Sequence, residues 1–312
     1  MSEREIVCED LSLALDDLRR KGFRIDLIYP ADDPHSAVLS NGDETIRVST
    51  RAGVDLPPSG LPEFRPEFVV SSASSVAGEG RAGMLYRDLI PGRLGGRYIA
   101  SQITIPTGGP VADWVHFHRI SVQALYVARG WVRVVYEDQG EPFVLNAGDL
   151  VLQPPEIRHR VLESSDGLEV IEIAAPALHA TFADHETSLP APDVDRDRLF
   201  SGQHFLRHVA AETPWEPFHG GEARETGLLE ATSGLMDARA VRAGTVATID
   251  FAPHEGELVF GFVLEGAASL EYGDEYSLRR GDAFAIPPGE PWRIAGASED
   301  FRLLHITTAK LG

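Results

Sequence analysis

The sequence predicts a mainly β protein, built of two copies of one sandwich or closed barrel behind a small α/β N-terminal extension. Three observations predict it. Short β-prone runs such as Arg97–Ile105, Leu125–Ala128, Trp131–Tyr136, Leu150–Leu152 and Leu168–Ile173 follow one another between turns, with no helix-period segment among them. A pattern repeats: Val-Leu-Asn-Ala-Gly-Asp-Leu-Val-Leu-Gln-Pro-Pro ends at Pro155, and Ser-Leu-Arg-Arg-Gly-Asp-Ala-Phe-Ala-Ile-Pro-Pro ends at Pro288. Each copy follows an apolar run closed by a glycine, Gly130 and Gly266, so one supersecondary unit occurs twice. Finally, His116 and His118 stand two apart on a β-prone run, which puts both imidazoles on one face.

Along the chain, residues 9–22 read as a helix. Its acidic residues come early and Arg19-Arg20-Lys21 late, the order favoured by the helix dipole, and Gly22 suits the C-terminal cap. Phe23–Tyr29, Ser36–Leu39 and Thr45–Ser49 read as strands, the last two joined through the hairpin signal Asn41-Gly42. These make residues 1–51 a small α/β module. Residues 52–81, with Leu56-Pro57-Pro58 and Ser71-Ser72-Ala73-Ser74-Ser75, form a connector extended over the surface. Residues 82–175 form the first barrel. Prolines and acidic residues mark 176–203 as a linker, with a short helix expected around Leu178–His185, and 204–312 form the second barrel.

Composition excludes several classes of function. The formal net charge is −20, so no basic face is offered to nucleic acid. Cys8 is the only cysteine, which rules out an intrachain disulfide and fits a reducing compartment. No long apolar run and no basic-then-apolar leader is present, so the expected location is the cytoplasm, with no membrane span. No Gly-x-Ser-x-Gly elbow, P-loop or dinucleotide fingerprint occurs.

The chemistry concentrates at His116, His118, Gln123 and His159. His159 follows Gly148-Asp149 and Pro154-Pro155, one hairpin and one strand after the His pair. This order resembles the two motifs of the cupin superfamily. The likeness covers roughly residues 82–175 and 204–310 and implies two cupin (double-stranded β-helix, jelly-roll) barrels. Residues 9–49 resemble one module of the glyoxalase (vicinal oxygen chelate) fold, without its metal motif.

The cupin resemblance implies that His116, His118 and His159 hold a divalent metal ion, with Gln123 at the position of the family's glutamate. A Gln amide oxygen there either binds the ion or hydrogen-bonds what the ion holds. Neutral ligands leave the ion's charge uncancelled, which favours an anionic or chelating substrate. In the second repeat, His254 is opposite His118, but Ala252, Val259 and Trp292 stand opposite His116, Gln123 and His159, so that site is degenerate. Iron(II) is the favoured ion, with manganese, nickel, copper or zinc compatible with the same ligands.

The activity implied is a non-haem iron dioxygenase in the N-terminal barrel, acting on a small oxygenated or aromatic anion. The alternatives are a metal-dependent isomerase, epimerase or lyase on a sugar or keto acid, and a metal- or ligand-binding protein without turnover. Arg97, Gln102, Arg158 and Arg160 are candidate substrate-binding residues, and Gln123 is the candidate catalytic residue. A homo-oligomer is expected by the same likeness.

Overall fold

The computed structural model describes residues 3–51, 60–80, 83–244 and 247–312. The Leu56-Pro57-Pro58 part of the connector lies outside them. The architecture is mainly β, with two cupin barrels and a small N-terminal α/β module. No helix of the described residues is long and apolar enough to cross a membrane.

The helix runs Leu11–Arg20, with Asp10 as its cap: its carboxylate accepts from the Leu13 amide at 3.0 Å. Gly22, at φ +87°, ends it. Leu11 and Leu18 pack onto Ala37, Leu39, Ile46 and Val48 of the strands behind. A strand not foreseen in the sequence, Glu3–Val7, runs parallel to Thr45–Ser49.

The module is not a separate flank. Its strand Arg24–Tyr29 pairs with Thr181–Ala183, which pairs with His116–His118, so one sheet runs from the N-terminal module into the first barrel. Thr181–Ala183 corrects the helix expected around Leu178–His185. Thr181 and Phe182 bridge two strands, and the ladder partners on both sides decide the conformation.

The second sheet of this barrel contains Leu85–Asp88, Ile99–Ile105, Leu168–Ala175, Val122–Arg129 and Leu150–Leu152. Alternation gives it two apolar faces. Val127, Val151 and Val170 face the barrel interior with Val132, Val134 and Tyr136. Ala100, Ala124, Tyr126 and Ile171 face outward and pack against Ala238, Phe260, Phe262 and Leu304 of the second barrel. The barrels therefore share an apolar core.

The two barrels also exchange edge strands. Val69–Ser71, from the connector, pairs with Ala283–Ala285 of the second barrel, and Leu206–His208 pairs with Leu150–Leu152 of the first. The repeated Gly-Asp turn holds each exchange. Gly148 (φ +97°) and Gly281 (φ +87°) take conformations that suit glycine. One oxygen of Asp149 accepts from the Asn146 amide at 2.8 Å, and the other from Ala210, just beyond the exchanged strand, at 2.8 Å. Asp282 does the same with Arg279 at 2.9 Å and Ala73 at 2.7 Å.

Candidate metal centre

Three elements bring the histidines together. His116 and His118 share one face of their strand, and His116 is paired directly with His159 across the antiparallel ladder. The Pro154-Pro155 bend delivers His159 to that register. All three are buried, and one ring nitrogen from each lies within 4.8 Å of the others. Ring centroids are 4.2 Å apart for His116 and His159, 5.3 Å for His116 and His118, and 5.4 Å for His118 and His159.

The tautomers follow from the backbone. Nδ1 of His116 lies 2.7 Å from the Trp114 carbonyl, Nδ1 of His118 is 3.1 Å from Ala180 O, and Nδ1 of His159 is 3.0 Å from Ile157 O. A carbonyl only accepts, so each Nδ1 carries the hydrogen, and each Nε2 carries the lone pair. This is the state in which an imidazole ligates a metal, with its orientation fixed by a backbone hydrogen bond. Burial, then the neighbouring His179, His116 and His159, push the His118 pKa well below its ordinary value, which keeps the ring neutral.

Gln123 lines the same cavity, and so does Glu172, on the neighbouring strand. The Gln123 Nε2 donates to the Glu172 carboxylate at 2.5 Å, while its Oε1 is buried with no hydrogen-bond partner. The carboxylate thus sets the amide: nitrogen towards Glu172, oxygen available to a cation. Three inward lone pairs, an orphaned amide oxygen and a nearby negative charge together fit a divalent ion.

The expected substrate-binding residues lie elsewhere. Arg97 is buried between the barrels, where its guanidinium donates to both oxygens of Glu257 at 2.9 and 2.8 Å and to the Leu311 carbonyl. Gln102 faces away from the cavity, accepting from Arg87 and donating to Glu169, because Ile103 is the inward residue of that stretch. Arg158 donates to Asp184 at 2.9 Å and lies over the outer ring of Phe117. Arg160 alternates with inward His159 and Val161, and no arginine or lysine lines the cavity among the described residues. Gln102, Arg158 and Arg160 are each one residue out of phase with the cavity face, whereas Arg97 lies before the strand, at the end of the short helix Arg93–Gly96.

Further polar residues line the cavity. Glu172 is an inward charge in the otherwise apolar stretch Val170–Ala175, a signal that was there to be read. His179 packs edge-on to His118 at 5.2 Å. Asp32, in a turn of the N-terminal module, reaches the cavity only because the module's sheet is continuous with the barrel's.

In the second barrel, Phe251 pairs with Trp292, as His116 pairs with His159 in the first. Phe251, rather than Ala252, therefore takes the place of His116, a one-residue change of register. The two rings stack at 3.7 Å, and the His254 ring donates to the Thr308 carbonyl. His305 occupies the place of Glu172, since it pairs with Gly261 as Glu172 pairs with Leu125. An aromatic wall stands where the metal ligands would be.

Residues 241–307 match the cupin domain family model. No curated protein matches the sequence. Among solved structures, the chain is similar to protein YlbA from E. coli (TM-score 0.59, 11% identity, 81% of this chain and 96% of that one). It is also similar to a putative glyoxylate induced protein from Pseudomonas aeruginosa (0.57, 13% identity, 84% and 96%). A third is oxalate decarboxylase from Bacillus subtilis (0.56, 12% identity, 84% and 79%). At these identities the likeness is one of fold.

Proposed function

From the cupin domain match of residues 241–307 and the cupin-like fold, we propose that the chain is a metal-dependent enzyme whose centre lies in the first barrel. The supporting observation is the buried triad of His116, His118 and His159, with every Nδ1 hydrogen committed to a backbone carbonyl. These residues would hold a divalent ion, with Gln123 Oε1 as a further oxygen donor. When bound, such an ion supplies Lewis acidity and, as iron(II), dioxygen chemistry as well. The reaction proposed is the oxygen-dependent conversion of a small oxygen-bearing molecule.

The chain's own residues do the rest. The triad fixes the position of the reacting group, and Val161, Ile103 and Leu125 restrict water around it. Glu172, coupled to Gln123, places a carboxylate beside the centre. That carboxylate also favours a second reading, a metal-dependent isomerase or lyase, in which it holds a proton taken from the substrate.

The test is elemental analysis of the purified protein beside His118→Ala, followed by oxygen uptake with a panel of small hydroxy and keto compounds. About one iron per chain, lost in the variant, with oxygen uptake, is the expected result. Zinc, nickel or manganese without oxygen uptake selects the second reading. No metal in the wild type overturns both.

A further inference from the structure

Four buried polar atoms without a hydrogen-bond partner face the cavity of the triad: Asp32 Oδ1, Gln123 Oε1, His179 Nε2 and Thr181 Oγ1. Each of the four residues is less than 9% exposed. An unpaired buried polar atom is costly, so several in one cavity mark a place that something fills.

Their chemistry is one-sided. The second oxygen of Asp32 accepts from Arg93 at 2.6 Å, which leaves Oδ1 turned inward. The His179 Nδ1 lies 3.1 Å from the Pro176 carbonyl, so it donates, and the inward Nε2 is an acceptor. Gln123 presents oxygen because its nitrogen is used by Glu172. Only Thr181 can donate. The cavity thus carries three acceptors, two carboxylates and no side-chain cation among the described residues.

Resting on the proposed metal centre, we infer that Asp32 and His179 form the acceptor half of the substrate pocket, and that they select a small, neutral, hydroxyl-bearing molecule over an anion. Hydroxyl groups donate to Asp32 and His179 while their oxygens face the triad. A carboxylate in the same place sets its charge against Asp32 and leaves the His179 lone pair unsatisfied. This reverses the anionic substrate expected from the ligand set alone, because the N-terminal module brings in a carboxylate that the barrel does not contain. The cavity, about 80 Å³, has room for on the order of three water molecules at their liquid volume. It suits only a small substrate.

The test is calorimetric titration of the full-length protein, metal-loaded and metal-free, with glycerol and with lactate, which have equal numbers of heavy atoms. The wild type is expected to bind glycerol more tightly in both forms. Asp32→Asn keeps an acceptor for Arg93 but turns a donor inward. It should weaken glycerol by about three- to tenfold and strengthen lactate, with metal stoichiometry unchanged. His179→Phe should weaken glycerol with no gain for lactate. Lactate bound as tightly as glycerol by the wild type overturns the inference, whether or not the variants fold. Loss of metal in Asp32→Asn also overturns it, by making Asp32 a ligand. Absence of metal from the wild type defeats the proposed enzyme instead, and the glycerol–lactate comparison on the metal-free protein still decides this inference.

Discussion

At the residue scale, the pair of Gln123 and Glu172 determines what the centre offers a cation. A glutamine in place of the family's glutamate looks like a lost ligand, yet the site keeps a carboxylate one strand away, and the 2.5 Å hydrogen bond aims the amide oxygen inward. Gln123→Glu would set two carboxylates in contact inside the barrel, where they cannot both ionise freely. The metal-free variant should lose about 1–3 kcal/mol of stability at neutral pH, the cost of a buried polar group left without its partner. Added divalent ion should restore more than that loss, because it binds only the folded state and gains a charged ligand. Melting curves with and without zinc check this: the zinc-induced rise in Tm should be larger in Gln123→Glu than in the wild type. An equal rise would mean that position 123 does not meet the ion.

At the scale of elements, the Gly-Asp turn does two jobs with one carboxylate. Asp282 closes its own turn through Arg279 and clamps the exchanged strand Val69–Ser71 through Ala73. Asp282→Ala should therefore cost about 3–6 kcal/mol, two charge-assisted hydrogen bonds at the usual magnitude. The loss should concentrate in the exchanged strand: the Val70 amide should exchange hydrogen faster, while Ile171 in the other barrel stays protected. Uniform loss of protection in both barrels would contradict the clamp. The same motif shows what was legible in the sequence. Gly148-Asp149 and Gly281-Asp282, with their trailing Pro-Pro pairs, marked both barrels, and His-x-His with His159 marked the triad, because these depend on local spacing. The strand exchange was not legible, since Val69 and Ala285 are far apart in sequence and no local spacing links them. The four misplaced polar residues failed for another reason. A one-residue error of register turns a strand's whole inward set outward, and Gln102 carries no local mark of its phase, while Arg97 lies before its strand begins at Ile99.

For the whole molecule, the two barrels differ in what they ask of their buried imidazoles, and that difference sets the pH dependence of folding. The first barrel's rings are arranged around a place for a cation. In the second, His305 lies against Phe251 and Trp292 at 4.9 and 5.5 Å, and its strand pairs with that of Arg239. Burial, then Arg239, His254 and His219, lower its pKa to about 3 from an ordinary value near 6.5. Between those values the unfolded chain binds a proton that the folded chain refuses, so stability is complete above pH 6.5 and falls as the pH drops. Each such group contributes a slope of about 1.4 kcal/mol per pH unit. His118, lowered in the same direction by burial, adds to the loss in metal-free protein. His305→Gln removes one of these titrations while keeping a polar side chain of similar size. Denaturant unfolding of the metal-free protein between pH 6.5 and 4.5 should therefore show a shallower decline in the variant, by about the slope of one group. This window lies above the range in which paired carboxylates such as Asp184, held to about 2, begin to protonate. Parallel declines in the two proteins would mean that His305 takes up its proton in the folded state, and that the second barrel admits water and charge as readily as the first.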